Sequence, residues 1–550
     1  MVQDPNSAGA GSPRRCPAIL QPAMMALIFF FFALFATAFG ENEFTRQGGK
    51  SGTVTSLFSV GVAKRDVTPN APVVLAGFLS RTTEHEGVDT KLWARALIID
   101  EAVLVAIDNC GVPRAVTDRV ADRLRDTHGI DPAHLIVAAT HTHNAPALAG
   151  YAYPLWCDRF PDGAEQRMRE YTAFVVDRMV AAVGAALSRR KPMGLTWTQG
   201  ELPFSGHRRV INKKSGKVFF GSNDTGPVDR SLPVLAARDA DGTVRAVWVN
   251  YASHSTVVGD RNRIGGDWPG FANEALEREF PGAVAFTTIG AGADSHMEPG
   301  ELVRWMQVNL ESGSLPLAKH YGTQIAAEAQ RLLSKRATVV SLDGPLIIAR
   351  SSVQLPLDKP NQTRQYWAQE ANSTVSPLES RRCRARAMLK TLDTRQALPA
   401  EVDFPFSVWS FGKKLAMVFL AGEIVAAYAI RLKASVLPHG RETGLHLWVT
   451  GWSNAMPGYV PSRQMVHEGG YEVERAPLFY NQPSSFAPEV EDILVRAVTN
   501  LIPREQTGII MIKPSKAKRW RTTGRSLMIL ATSEHASSMV WSCQASSRSG

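Results

Sequence analysis

The sequence predicts a mixed α/β (α+β) fold in which layered sheets are flanked by helices and a site opens at strand ends. Three observations lead there. Apolar runs of strand length alternate with longer segments whose apolar residues recur at helical spacing. Between residues 50 and 504 no Pro/Ser-rich linker and no repeat of fixed period interrupts them. Several of the apolar runs end on or just before a histidine or a carboxylate. Residues 50–504 therefore read as one body.

The elements follow in order. Ala102 to Asp108 and Leu135 to Thr140 are strands, joined by a helix with Val116, Val120 and Leu124 on one stripe and Gly129 at its end. A long amphipathic helix covers about 165–188. Val234–Ala237 and Val244–Val249 form a hairpin across Asp239 to Gly242. A helix near 269–279 leads to the strand from Ala283, which delivers the glycine-rich loop Gly290 to Ser295. Its spacing fits neither a Walker motif nor a dinucleotide fingerprint. A helix at 316–334 precedes strand character over 337–356, and the Arg-rich stretch 357–400 reads as a helical excursion. Phe406–Gly412 pairs with Leu415–Leu420, a helix runs from Glu423 to Ala434, and Leu445–Gly451 is a further strand opening on a loop with Asn454 and Tyr459.

The strand ends carry the chemistry. Leu135 to Thr140 runs into His141-Thr142-His143, and alternation along an extended backbone would place both imidazoles on one face. The strand beginning at Val244 leads to His254, and the one beginning at Leu415 leads to Glu423. Ligands in layered α/β proteins gather outside strand ends, so polar residues in equivalent places imply one shared site. Two histidines, a carboxylate and an oxygen donor suit zinc. Each has a plainer reading. A buried histidine can simply bond backbone, Glu423 can stabilise a helix N-terminus, and Tyr459 and Tyr471 can pack. Asp294 and Ser295 can cap a turn, and Asp267 can cap a helix. Asp108 and Asp267 are candidates to hold the ligand histidines from behind.

Composition bounds the class. With 550 residues, 44% apolar and 20% charged, the chain has globular usage. Arg14 and Arg15 precede an apolar run from Met24 to Phe39, and Ala38-Phe39-Gly40 offers a cleavage site, so residues 1–40 read as an export signal. The expected location is periplasmic or secreted, or membrane-anchored if the signal stays. Five cysteines, widely spaced, allow at most one bridge within the body. Of the net charge of +10, residues 505–550 contribute +5 through seven Lys/Arg against Glu505 and Glu534. Residues 1–40 add +1, leaving +4 on the body. No nucleic-acid partner is expected from that charge. The basic, aperiodic stretch 505–550 reads as a disordered tail.

Taken together, Gly61-Val-Ala-Lys-Arg-Asp-Val-Thr-Pro69, Thr90-Lys-Leu-Trp-Ala-Arg-Ala-Leu97, Ala139-Thr-His-Thr-His143, Asn250-Tyr-Ala-Ser-His254, Gly265-Gly-Asp-Trp268, Gly422-Glu423 and Tyr459-Val-Pro461 resemble the catalytic region of the neutral/alkaline non-lysosomal ceramidases. The resemblance implies one zinc per chain held by His141, His254, Glu423 and Tyr459. It implies that His143, Tyr471 and Arg208 surround the substrate carbonyl, with Arg209 competing for the place of Arg208, and that Ser295 lies in the family's glycine-rich loop. The expected reaction is hydrolysis of an N-acyl amide, in ceramide or a related small-molecule or lipid compound, with His143 passing a proton to the leaving amine. No Gly-x-Ser-x-Gly elbow supports a serine nucleophile. Contact with a membrane surface is compatible with such a substrate, and no protein partner is evident. Residues 505–550 offer no pattern for the immunoglobulin-like domain that follows the catalytic region in that family, and Met456 stands where it usually has a tyrosine. A metal-dependent esterase or small-amide hydrolase, and an exported binding protein without turnover, remain the alternatives.

Overall fold

A computed structural model describes residues 57–297, 314–373, 379–436 and 444–503. The expected export signal and basic tail lie outside them. The first strands are β1 (Phe58–Asp66), β2 (Trp93–Ile99) and β3 (Ala102–Ile107), followed by helix α1 (Arg114–His128) and β4 (Leu135–Ala139). Helix α2 (Ala164–Leu187) leads to β5 (Lys191–Glu201), a hairpin of β6 (Ser205–Ile211) and β7 (Val218–Asn223), then β8 (Ser231–Arg238) and β9 (Val244–Tyr251). Helix α3 (Asp267–Glu279), β10 (Val284–Ile289), β11 (Ser295–Met297), α4 (Leu315–Ser334) and the short β12 (Val340–Ser341) follow. The last part holds β13 (Leu346–Pro356), α5 (Arg364–Asn372), α6 (Glu379–Arg395), β14 (Glu401–Phe411), β15 (Leu415–Leu420), β16 (Glu423–Ile424), α7 (Ala426–Val436), β17 (His446–Thr450), β18 (Tyr459–Val460) and α8 (Val490–Leu501).

A mixed nine-stranded sheet runs β10-β9-β8-β5-β1-β2-β3-β4, with β12 alongside β5, and a four-stranded sheet runs β13-β14-β15-β17. Alternation along each strand explains how they stack. Leu97, Leu104, Met193, Leu235, Trp248 and Phe286 of the large sheet meet Trp409, Phe411, Leu415, Met417, Phe419 and Trp448 of the small one. The intervening residues, such as Val103, Val105 and Val418, face the helices. Because both faces are covered, β3, β4 and β15 are buried at every position, which is why they read as unbroken apolar runs rather than as alternating ones. Trp248 lies 4.8 Å from Trp448 and 6.4 Å from Trp409, ring centre to ring centre. Truncating one such buried ring to alanine costs about 3–5 kcal/mol.

Three parallel pairs organise the functional end. In each, a strand, a crossover helix and a second strand follow in the chain: β3-α1-β4, β9-α3-β10 and β15-α7-β17. The two strands of each parallel pair end side by side, and although β3–β4 and β9–β10 run in opposite directions in the large sheet, the loops leaving the three units meet, with Thr142 bridged to Ser255 and Ala138 to Ser453. The backbone ties the ends together, since Asn454 N donates to Val137 O and Gly451 N to Ile289 O.

The expected hairpin of β8 and β9 is present, closed by Gly242 N donating to Asp239 O, and 357–400 does hold two helices. Three boundaries differ from expectation. The last helix of the third unit begins at Ala426 rather than Glu423, because Glu423–Ile424 pairs as a strand with Tyr459–Val460. Strand character is interrupted between Ser341 and Leu346, where Gly344 turns the chain at φ 81°. Strand β4 stops at Ala139, so His141 and His143 do not continue its alternation. His141 instead adopts a left-handed backbone, φ 56°.

Candidate metal centre

The left-handed kink at His141 turns its ring back under the end of β3, where Nδ1 donates to Cys110 O at 2.6 Å. A carbonyl can only accept, so the proton sits on Nδ1 and the Nε2 lone pair points into the cleft. His254 is oriented in the same way, its Nδ1 donating to Gly292 O at 3.1 Å. That approach needs a glycine: a Cβ at Gly292 would lie 2.5 Å from Ser253 N. Glu423, held by the β16–β18 pairing, completes the group. Its Oε2 is 3.5 Å from His141 Nε2 and 3.5 Å from His254 Nε2.

These three side chains fit a metal ion. Each is at most 2% exposed, and their donor atoms lie together within 4.8 Å. A spacing of 3.5 Å is the edge of a tetrahedron whose centre lies about 2.1 Å from each corner, a zinc–ligand length. Glu423 Oε1 accepts from Tyr480 OH, while the buried Oε2 has no hydrogen-bond partner. A buried carboxylate oxygen left unpaired beside two imidazole lone pairs is costly without a cation between them. Burial foremost lowers His141 to about 4 against the opposing pull of Glu423, and burial together with Arg208 holds His254 well below the ordinary range. Both rings are neutral near pH 7, the form a metal needs.

The other expected residues gather around this group. His143 Nε2 is 3.1 Å from His141 Nε2, and its Nδ1 is unpartnered. Gly77 makes room for that ring, since a Cβ there would meet His143 Nδ1 at 2.4 Å. Burial first, then His141, His254 and the nearby arginines, keeps His143 well below its usual range. It is therefore a proton acceptor near neutrality rather than a group titrating at the working pH. Tyr459 Oη lies 3.2 Å from His254 Nε2 and 3.2 Å from Arg208 Nη2.

The two adjacent arginines divide their work. Arg208 reaches Tyr459 and Glu472 Oε1 (3.1 Å), with its guanidinium 5.9 Å from the Tyr471 ring centre. Arg209 turns away to Glu472, to Glu468 (3.2 Å) and to Gly469 O (2.9 Å). Burial would raise the Glu472 carboxyl, but Arg208 and Arg209 outweigh it and hold it below its usual range. Arg208 thus faces the cleft as a compensated cation. Ser295 is not aimed at a partner. Its buried Oγ is unpaired, while its carbonyl accepts from His254 N at 3.1 Å, which makes its visible role the backing of that histidine.

Two expectations fail. Asp108 does not support a histidine: its carboxylate accepts from Arg95 Nη1 at 2.8 Å and Trp93 N at 2.8 Å, bracing β2. Asp267 accepts from Val258 N and Trp268 N and reaches neither ligand. Backbone carbonyls hold both rings instead, and a carbonyl leaves no residue-type signal in sequence. Tyr480 was also unforeseen. It lies in Phe479-Tyr-Asn-Gln482, with no motif or spacing to mark it, and its Oη is 3.4 Å from Tyr151 Oη, which is 3.4 Å from Cys110 Sγ. Asn454 is structural, its Oδ1 accepting from Val137 N at 2.8 Å.

Residues 58–295 match the family model described as neutral/alkaline non-lysosomal ceramidase, N-terminal. The neutral ceramidase of Pseudomonas aeruginosa is 24% identical over 467 residues, covering 76% of this chain and 68% of that protein. The crystal structure of neutral ceramidase from Pseudomonas aeruginosa superposes with a TM-score of 0.60 at 20% identity, over 81% of this chain and 74% of that one. A second structure, a ceramidase complexed with C2, gives 0.59 at 19% identity over 81% and 75%. The likeness in fold thus extends past the family-matched segment, toward the elements that carry Glu423, Tyr459 and Tyr471. Over residues 58–295 the chain is thus similar to the neutral/alkaline non-lysosomal ceramidases, and over most of its length it shares their fold.

Proposed function

We propose that this chain is an exported, zinc-dependent amidohydrolase that cleaves the N-acyl bond of ceramide or a closely related N-acyl lipid, with residues 50–504 as its catalytic body. The observation that carries the reading is the convergence of His141 Nε2, His254 Nε2 and the unpaired Glu423 Oε2 in a buried cluster. Similarity to the family model and to a relative named neutral ceramidase supports the substrate class. Zinc in this position supplies Lewis acidity toward the acyl carbonyl and lowers the pKa of water to about 7.

The chain's own residues do the rest. His143, neutral and aimed at the cluster through Nε2, accepts the proton of the attacking water and delivers it to the leaving nitrogen as the C–N bond breaks. Arg208 and Tyr471 offer donors to the carbonyl oxygen as negative charge grows on it. Tyr459 Oη, between His254 and Arg208, links the ligand side of the cleft to the oxyanion side. Export is supported by the apolar N-terminal run and by the Cys157–Cys383 disulfide, a bond that persists in oxidising compartments.

The test is metal analysis joined to an N-acylsphingosine assay. One zinc per chain and chelator-sensitive release of sphingosine are expected, with His141→Ala and His254→Ala losing both while remaining folded. Full zinc occupancy in either variant would refute the ligand assignment. Zinc without turnover of any N-acyl substrate would favour the binding-protein alternative, and faster ester than amide cleavage would favour the esterase.

A further inference from the structure

Three of the eight large apolar side chains exposed among the described residues sit on one hairpin: Ile211, Phe219 and Phe220, at 45%, 50% and 55% exposure. The register pairs Arg209 with Phe220, Val210 with Phe219 and Ile211 with Val218. Side chains alternate along a strand, so the neighbours Phe219 and Phe220 face opposite sides and the end of the β6–β7 hairpin is apolar on both faces. A hairpin that stays in water keeps at least one face polar.

The turn is as unusual in charge as the strands are in hydropathy. Lys213, Lys214 and Lys217 are all exposed, residues 211–223 contain no acid, and none of the three lysines pairs with an acid among the described residues. A tip that joins bare aromatic and aliphatic side chains to unneutralised lysines is complementary to a negatively charged, apolar-cored surface. The base of the hairpin stands at the metal centre. Phe220 lies 5.1 Å from the Tyr471 ring, and the Arg208 guanidinium is 4.8 Å from the centre of the Phe220 ring.

We propose that the β6–β7 hairpin is a membrane-docking element: Ile211 and Phe219 enter the interface of an anionic lipid bilayer, Lys213, Lys214 and Lys217 engage its headgroups, and Phe220 continues the apolar path from the bilayer to Tyr471. The purpose of this docking rests on the lipid N-acyl reading above. A substrate with two long chains leaves the bilayer only at high cost, because every methylene exposed to water is unfavourable, so an entrance seated on the membrane surface lets it move from lipid to cleft without crossing water.

The experiment uses the full chain and vesicles of phosphatidylcholine alone or with phosphatidylglycerol, scored by flotation. Binding should require the anionic lipid and weaken with salt. A lysine near such a surface contributes roughly fivefold, so the triple variant Lys213→Glu, Lys214→Glu, Lys217→Glu should lose about 100-fold or more. The double variant Ile211→Ser, Phe219→Ser should lose binding even at low salt. An unchanged melting temperature confirms that each variant is folded. Vesicle binding is read without catalysis, so it judges the hairpin alone, whereas hydrolysis of a water-soluble short-chain N-acyl amide, which both variants should retain, judges the proposed chemistry. Equal vesicle binding by wild type and both variants would overturn the inference, as would a wild type that binds neither vesicle. So would a concentration-dependent dimer abolished by Ile211→Ser, Phe219→Ser, which would mean that a second copy covers the hairpin.

Discussion

Glu423 has one oxygen engaged and one free, and the engaged one is held by a residue without a motif. Tyr480 OH donates to Oε1, leaving Oε2 as the single donor toward the two imidazoles. Partners of this kind set the angle of a ligand, and their loss typically costs 10–100-fold in metal affinity. Tyr480→Phe should therefore weaken zinc binding by about 10–100-fold in competition with a chelator, with stability changed by only about 1 kcal/mol. Tyr151→Phe, one bond further back, should have a smaller effect. Equal affinity in Tyr480→Phe and wild type would show that the pairing is incidental. The contrast between Glu423 and Tyr480 also marks what a sequence can disclose at this scale. Glu423, His141 and His254 are visible because each closely follows an apolar strand. Tyr480 and the carbonyls of Cys110 and Gly292 reach the site through tertiary folding alone.

At the scale of elements, strands were legible where burial on both faces produced unbroken apolar runs, as in β3, β4 and β15. Their last residues were not, because hydrogen bonding to a distant partner decides where pairing stops. Glu423–Ile424 leaves its helix to pair with a segment 36 positions on. Asp267 shows the same limit. It was placed correctly at the start of α3, but its function is to accept from Val258 N and Trp268 N. Burial raises its carboxyl to about 6 against an ordinary 3.8. The folded state therefore keeps a proton that the unfolded chain releases once the pH exceeds 3.8, and stability declines between about pH 4 and 6. Relative to Asp267→Asn, the wild type should lose about 3 kcal/mol as pH rises from 4 to 7. Denaturant melts of the two proteins across that range measure it. A difference independent of pH would mean that the carboxylate is as comfortable in the fold as in water.

On the scale of the whole molecule, layering was legible and stacking was not. Alternating strands and helices announce a layered fold, but whether β13-β14-β15-β17 would continue the large sheet or pack against it depends on which faces meet, here through Trp248, Trp409 and Trp448. The arrangement gives the metal centre a structural consequence. His141, His254 and Glu423 come from three separate crossover units, one of them in the four-stranded sheet and two in the nine-stranded one. A cation shared among them cross-links both sheets, so its binding energy should appear as stability of the entire body rather than of one loop. With free zinc about a hundredfold above its dissociation constant, the linkage is worth about 2.7 kcal/mol, or roughly 3 °C for a body of this size. Chelation should lower the melting temperature by that order while the unfolding remains one transition, and added zinc should restore it. Glu423→Ala should melt at a temperature indifferent to zinc, because it removes the donor between the two imidazoles. A chelator effect that persists in Glu423→Ala would place the stabilising ion elsewhere in the molecule. A second, earlier transition on chelation would show that the crossover units are coupled only through the metal.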